Sequence, residues 1–276
     1  MNRTAGAVGA LIGAGVFVAV LLRFGPALAE TVLAALAVQD AAAGEAVFTL
    51  IIFGALLLAA VIAGVVWGVN ALAPGERAGS WGGLGLALGL GGVGLAATFG
   101  ALAGAVQPGS DVAPALVPIL VGLATVLVQV LAEEAFFRGW LQPVLARAWG
   151  LAPGILMGAL AFAALHVAGG ARAPVTLLNL ALGGVVFGSL AALGRGIAAP
   201  MMMHWGWNGA EQLLLGLDPN PGVGGFGALW DLELTGVARW GGSEEGLNAS
   251  LGMTAVLLAL LLPLLVRARR LRAATA

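Results

Sequence analysis

The chain is 276 residues long, 61% hydrophobic and only 9% charged, with 45 glycines and a formal net charge of -1. A water-soluble domain of this size could not cover its surface with so few polar groups, which makes the bilayer the solvent, and a near-zero charge excludes the basic field that a nucleic-acid partner needs. The absence of cysteine excludes disulfides, thiolate ligands and a cysteine nucleophile, so any metal would have to be held by histidine and carboxylate.

A spanning helix needs about 20 mostly apolar residues. In chain order, stretches near that length run over 5–22, 47–72, 81–106, 113–147, 152–168, 174–194, 197–217 and 249–266. They predict an all-α, polytopic transmembrane bundle of about eight helices, forming a single integral membrane domain over 1–276. The first stretch, with Met1 to Arg3 before it and Ala27-Leu28-Ala29 after it, has the outline of a signal peptide. It exceeds the usual apolar core of about 7 to 15 residues and is read as a retained helix. In the third, Gly82, Gly83, Gly85, Gly89, Gly91, Gly92 and Gly94 allow close helix approach. The fourth is too long for one upright crossing, so it either tilts strongly or ends in an interfacial helix after Arg138. The one long connection, 218–248, is rich in glycine and acid and reads as a solvated extracytoplasmic link in preference to a lid.

With the N-terminus inside, Arg3, Arg77, Arg138, Arg147, Arg195, Arg267, Arg269, Arg270 and Arg272 fall on the inner side, and only Arg23, Arg172 and Arg239 outside. That bias predicts a multi-pass protein of the cell membrane with both termini cytoplasmic. The acids Glu30, Asp40, Glu45, Asp111, Asp218, Asp231, Glu233, Glu244 and Glu245 all fall outside.

An ionisable side chain in an apolar span costs at least about 2.5 to 3.5 kcal/mol, so each one is a functional candidate. Those present are Glu133, Glu134 and Arg138 in the fourth stretch, His166 in the fifth, and His204 and Glu211 in the seventh, with Asn208 as an uncharged companion. Glu134 and Arg138 stand at i and i+4 and can form a buried pair. Glu133 points about 100° away and is free to face something else, as a general base would; both glutamates could equally cap an ion-pair cluster with Arg138. His204, Asn208 and Glu211 follow i, i+4, i+7 spacing and share a stripe. Either histidine alone would more often be an inter-helix hydrogen bond than a catalyst. The signal is their conjunction on three separate helices.

Glu133-Glu134-Ala135-Phe136-Phe137-Arg138 resembles the EExxxR motif of the CPBP intramembrane proteases, which include the CAAX prenyl endopeptidases and bacterial relatives linked to bacteriocin processing and immunity. Phe162 to His166 resembles that family's FxxxH motif, and His204 to Asn208 its HxxxN. The resemblance covers about 115–215, which would be the catalytic core. It implies an endopeptidase in which Glu133 activates a water, His166 helps to hold it, and His204 with Asn208 stabilises the oxyanion. The substrate would be a peptide or protein, prenylated, leader-bearing or membrane-embedded. Peptide hydrolysis needs just such a base, a held water and preorganised donors.

Two chemistries are open at this point. Glu133, His166 and His204 could supply a two-histidine, one-carboxylate zinc set. Against zinc, the histidines lie on different helices and neither ring has an evident spare carboxylate as its partner, Glu211 being the only candidate; catalysis without a cofactor is the expectation. A proton-coupled transporter and a non-catalytic immunity or scaffold protein are the alternatives in other classes. The first is weakened by the absence of an internal repeat and because helices 1, 2, 3 and 8 contribute almost no polar interior, the second by intact motifs.

Overall fold

The computed structural model describes residues 2–109, 115–219 and 224–275, with side chains as far as Arg267. The protein is 77% helix, arranged as nine α-helices among the described residues. These are α1 (Arg3–Ala35), α2 (Ala41–Trp67), α3 (Ala78–Leu102), α4 (Leu116–Glu134), α5 (Gln142–Trp149), α6 (Leu151–Ala168), α7 (Pro174–Gly194), α8 (Ala198–Gly209) and α9 (Leu251–Thr275). Two π-helical segments interrupt the rods, Ala135–Leu141 between α4 and α5, and Ala210–Leu214 after α8. Six rods are long and apolar enough to cross a bilayer, and Leu251–Arg267 forms a shorter apolar helix. The chain is a multi-pass membrane protein.

The ends of the helices follow local chemistry. Asp40 caps α2 by accepting from the Ala43 amide at 2.8 Å, so Glu45 lies inside α2 and not in a loop. Gly68, at φ 63°, closes the same helix in the left-handed conformation. The first helix is longer than its apolar stretch and takes in Arg23, Pro26 and Glu30, which were expected to lie beyond it. The fourth stretch neither breaks nor ends at Arg138: Leu116–Trp149 is one continuous rod. Asp111 lies outside the described residues.

Close approach of α3 and α8 is what places the seventh stretch. A Cβ at Gly85 would sit 2.1 Å from the Ala199 carbonyl, one at Gly89 2.2 Å from that of Met203, and one at Gly92 2.5 Å from the Trp207 ring. Only glycine admits these contacts, and small-residue seams of this kind drive packing where the hydrophobic effect is absent. Gly83, Gly91 and Gly94 meet nothing within 4 Å and face away from the seam.

The long connection is bound to the bundle, contrary to a merely solvated link. Leu232–Leu234 pairs antiparallel with Val106–Pro108. Glu45 accepts from the Gly224 amide at 3.1 Å and from that of Gly225, and Phe226 is buried over Gly122 and Leu213. Glu245 accepts from the amides of Arg172 and Ala173, both at 2.8 Å. Asn179 of α7 donates to the carbonyls of Asn248 and Ser250. Backbone groups otherwise left unpaired near the membrane find partners this way, a cause that loop composition does not reveal.

Candidate active site

Glu133, Glu134 and Arg138 come from the rod α4–π–α5, His204 from α8 and Phe187 from α7, and all five are buried. Glu134 is fully buried, 0% exposed, and one of its oxygens has two partners. Arg138 Nη1 donates to Oε1 at 2.8 Å, and His204 Nδ1 lies 3.0 Å from the same atom. An ionised carboxylate only accepts, so the hydrogen bond places a proton on Nδ1 of His204 and leaves Nε2 as the nitrogen that faces the neighbouring carboxylate. That neighbour is Glu133, whose Oε2 stands 3.8 Å from Nε2 and has no hydrogen-bond partner among the described residues. At 3.8 Å the two are too far apart for a direct bond. An acceptor and a ring nitrogen thus share a gap at the end of a bonded chain that runs from Arg138 through Glu134 Oε1 to His204, while Glu134 Oε2 is also without a hydrogen-bond partner among the described residues.

Arg138 is held on all sides. Its Nη2 donates to the Gly184 carbonyl of α7 at 3.4 Å, and its Cζ lies 4.5 Å from the centroid of the Phe162 ring and 5.1 Å from that of Phe187. One turn on, Gln142 donates to the Gly188 carbonyl at 3.0 Å. These aromatic faces and carbonyls compensate the cost of a buried guanidinium.

His166 and Asn208 are half-buried. Nδ1 of His166 meets the Phe162 carbonyl of its own helix at 3.0 Å, which leaves Nε2 as the ring nitrogen not engaged in that contact. Its ring packs on Phe162, centroid to centroid 4.6 Å, and Phe162 stands edge-on to His204 at 6.0 Å. Asn208 lies one turn beyond His204 on α8. The structure therefore joins Arg138, Glu134 and His204 by direct polar contact and sets Glu133 3.8 Å from His204, with Phe162 between His204 and His166.

Two expectations need correction. The spare carboxylate for a histidine ring is Glu134, which sequence reasoning assigned wholly to Arg138; a carboxylate oxygen has room for both. Glu211 instead bonds to Trp207, because the rod becomes π-helical at Ala210 and the i, i+7 stripe no longer holds. Concerning zinc, no group of three histidine, cysteine or acidic side chains among the described residues could hold a metal ion. Nδ1 of His166 is bonded to its own helix while Glu133 and His204 face each other, so the three do not fit a zinc set.

Gln142, Phe187 and the π turn escaped the sequence reading. Gln142 had a signal, a polar residue at i+4 from Arg138 in an apolar run. Phe187 had none, being one aromatic among many in a lipid-like composition.

Residues 115–210 match the family model described as Rce1-like, type II CAAX prenyl endopeptidase Rce1-like. The matched segment spans all three motifs and both partners of the buried ion pair, and its description agrees with the CPBP family that those motifs resemble. No curated protein and no solved structure matches the chain.

Proposed function

We propose that this membrane protein, whose 115–210 segment matches the Rce1-like model of CAAX prenyl endopeptidases, is an intramembrane endopeptidase that hydrolyses a peptide bond with a glutamate-activated water and no metal. The observation that carries this reading is the unpaired Glu133 Oε2, buried and 3.8 Å from His204 Nε2. A buried carboxylate without a cation of its own is suited to take a proton from water.

In this reading Glu133 is the general base, and Nε2 of His166 orients the same water. As the tetrahedral intermediate forms, negative charge develops on the former carbonyl oxygen. Donors are then needed at that oxygen, and they come from the Asn208 amide and from His204, whose Nε2 donates once Glu133 has passed to it the proton taken from water; that proton goes to the leaving amine as the C–N bond breaks. Glu134 acts on the far side of the imidazole, where its charge supports the protonated ring much as a carboxylate supports a catalytic histidine elsewhere. Arg138 holds Glu134 in place through the 2.8 Å bond to Oε1. Prenylated C-terminal peptides are the substrate class that the family description names, with both termini of the enzyme on the cytoplasmic side by the arginine distribution.

The test is mass spectrometry of the peptides released in cells that express wild type, Glu133→Ala or His166→Ala at matched membrane levels. A set of fragments present with wild type and missing with both variants is expected, and a quenched farnesylated peptide ending in a CAAX sequence then reports on the narrower class. Identical peptide sets from all three would refute the peptidase reading.

A further inference from the structure

We propose that Phe187 is a positioning residue for His204, an inference that rests on the peptidase reading above. Phe187 belongs to none of the three motifs. Its ring lies nearly parallel to the His204 imidazole, with centroids 4.9 Å apart and planes at 23°. The same ring receives the Arg138 guanidinium at 5.1 Å. One side chain therefore touches both of the groups bonded to Glu134 Oε1.

The need for it follows from the geometry. A single hydrogen bond at Nδ1 fixes one atom of the imidazole and leaves the ring free to rock about that contact, since the last torsion of histidine is broad. Rocking would swing Nε2 away from Glu133. A flat face against the ring removes that freedom, and Phe162, edge-on at 78°, bounds it on a second side. The backbone that carries Phe187 is itself fixed: Arg138 bonds to the Gly184 carbonyl and Gln142 to that of Gly188. These two buried bonds bracket Phe187 and tie its height to the rod that carries Glu133 and Glu134. Leucine would fill the volume at 187 but present no plane.

The sequence holds only two histidines, which makes the test direct. Protein labelled with ¹⁵N at histidine, in detergent micelles, gives two imidazole signal sets, and His166→Asn assigns them. In wild type the Nδ1 proton of His204 should be visible downfield and slow to exchange. Phe187→Leu should speed its exchange roughly threefold to tenfold, the range commanded by an aromatic stack, while the His166 signals stay in place. Phe187→Tyr, which keeps the face, should restore the wild-type rate. If Phe187→Leu does not give a monodisperse protein, Phe187→Met carries the same expectation. An unchanged exchange rate in the aliphatic variants, or no protected Nδ1 proton in wild type, overturns the proposal. This readout needs no substrate, so a failure of the peptidase reading would show separately as unchanged peptide release from Glu133→Ala.

Discussion

Replacing Arg138 by alanine leaves the Glu134 carboxylate, 0% exposed, with His204 as its remaining polar partner at 3.0 Å. Removing one member of a buried ion pair costs about 3 to 5 kcal/mol, because the desolvation of the survivor is no longer offset. The lost bond to Gly184 and the lost stacking on Phe162 and Phe187 add about 1 to 2 kcal/mol. His204 works the other way, since its imidazole can take up a proton and supply part of the missing charge. A net loss of about 3 to 5 kcal/mol is expected, on the order of 10 °C in melting temperature for a chain of this length. His204→Asn alone, losing one hydrogen bond and a stack, should cost about 1 to 2 kcal/mol. In the Arg138→Ala background it removes the compensating group, so the double variant should exceed the sum of the singles by about 1 kcal/mol or more. The measurement is thermal unfolding of the four proteins in one detergent, followed by tryptophan fluorescence and by the folded fraction on size exclusion, with Glu133→Ala as reference. Additivity within about 0.5 kcal/mol, or equal folded fractions for Arg138→Ala and Glu133→Ala, would refute the reasoning.

The glycine seam gives a paired test: Gly89→Leu should expel α8 from α3 and abolish peptide release with a loss of about 1 to 3 kcal/mol or more, whereas Gly91→Leu, in open space, should leave both nearly unchanged. Burial works to raise the Glu245 carboxyl, but the nearby Thr176 hydroxyl and the hydrogen bonds from the Arg172 and Ala173 amides, with the Arg172 charge, bring it below its ordinary 4.5. A depressed folded value means that its contribution is present above pH 4.5 and is lost as pH falls through the folded value. Exchange protection of those two amides, corrected for intrinsic rates, should therefore drop on acidification, and in Glu245→Gln it should be low at neutral pH already. Asp218 has the opposite sign, being raised by burial and by the charges of Asp231 and Glu233, so Asp218→Asn should raise the melting temperature at pH 7; a fall would count against that repulsion. Turnover of a purified preparation should survive a strong zinc chelator, and activity lost to it and restored by stoichiometric zinc would reverse the metal-free reading.

The rods were legible because a bilayer imposes a length on every crossing: α6 and α7 lie within one residue of the apolar stretches that foretold them. Their ends elsewhere were not, since a cap such as Asp40 or a helix that runs on through Arg23 and Pro26 is decided by contacts with neighbours. At the site, the i, i+4 spacing of Glu134 and Arg138 disclosed their pair, a local relation that helix geometry guarantees. The bond from Glu134 to His204 joins residues 70 apart, and no spacing rule reaches that far. The face of Phe187 is invisible for the same reason. The anchoring of the long connection rests on backbone amides meeting Glu45 and Glu245, and amides are present at nearly every position of any sequence.

The π turn at Ala135–Leu141 stores one residue of slack at the site. A π turn holds one residue more than the α turn it replaces. Deleting one residue after Arg138 within this segment would let the turn relax to a regular α turn with Gln142 and α5 still in phase with Glu133 and Glu134, whereas a deletion in the regular stretches of the rod would rotate everything beyond it by about 100°. The segment works as a slack link, able to give up one residue of length without turning the rods it joins. A deletion scan through the rod should consequently show its mildest loss of folded protein just after Arg138 and its sharpest in the α-helical turns on either side.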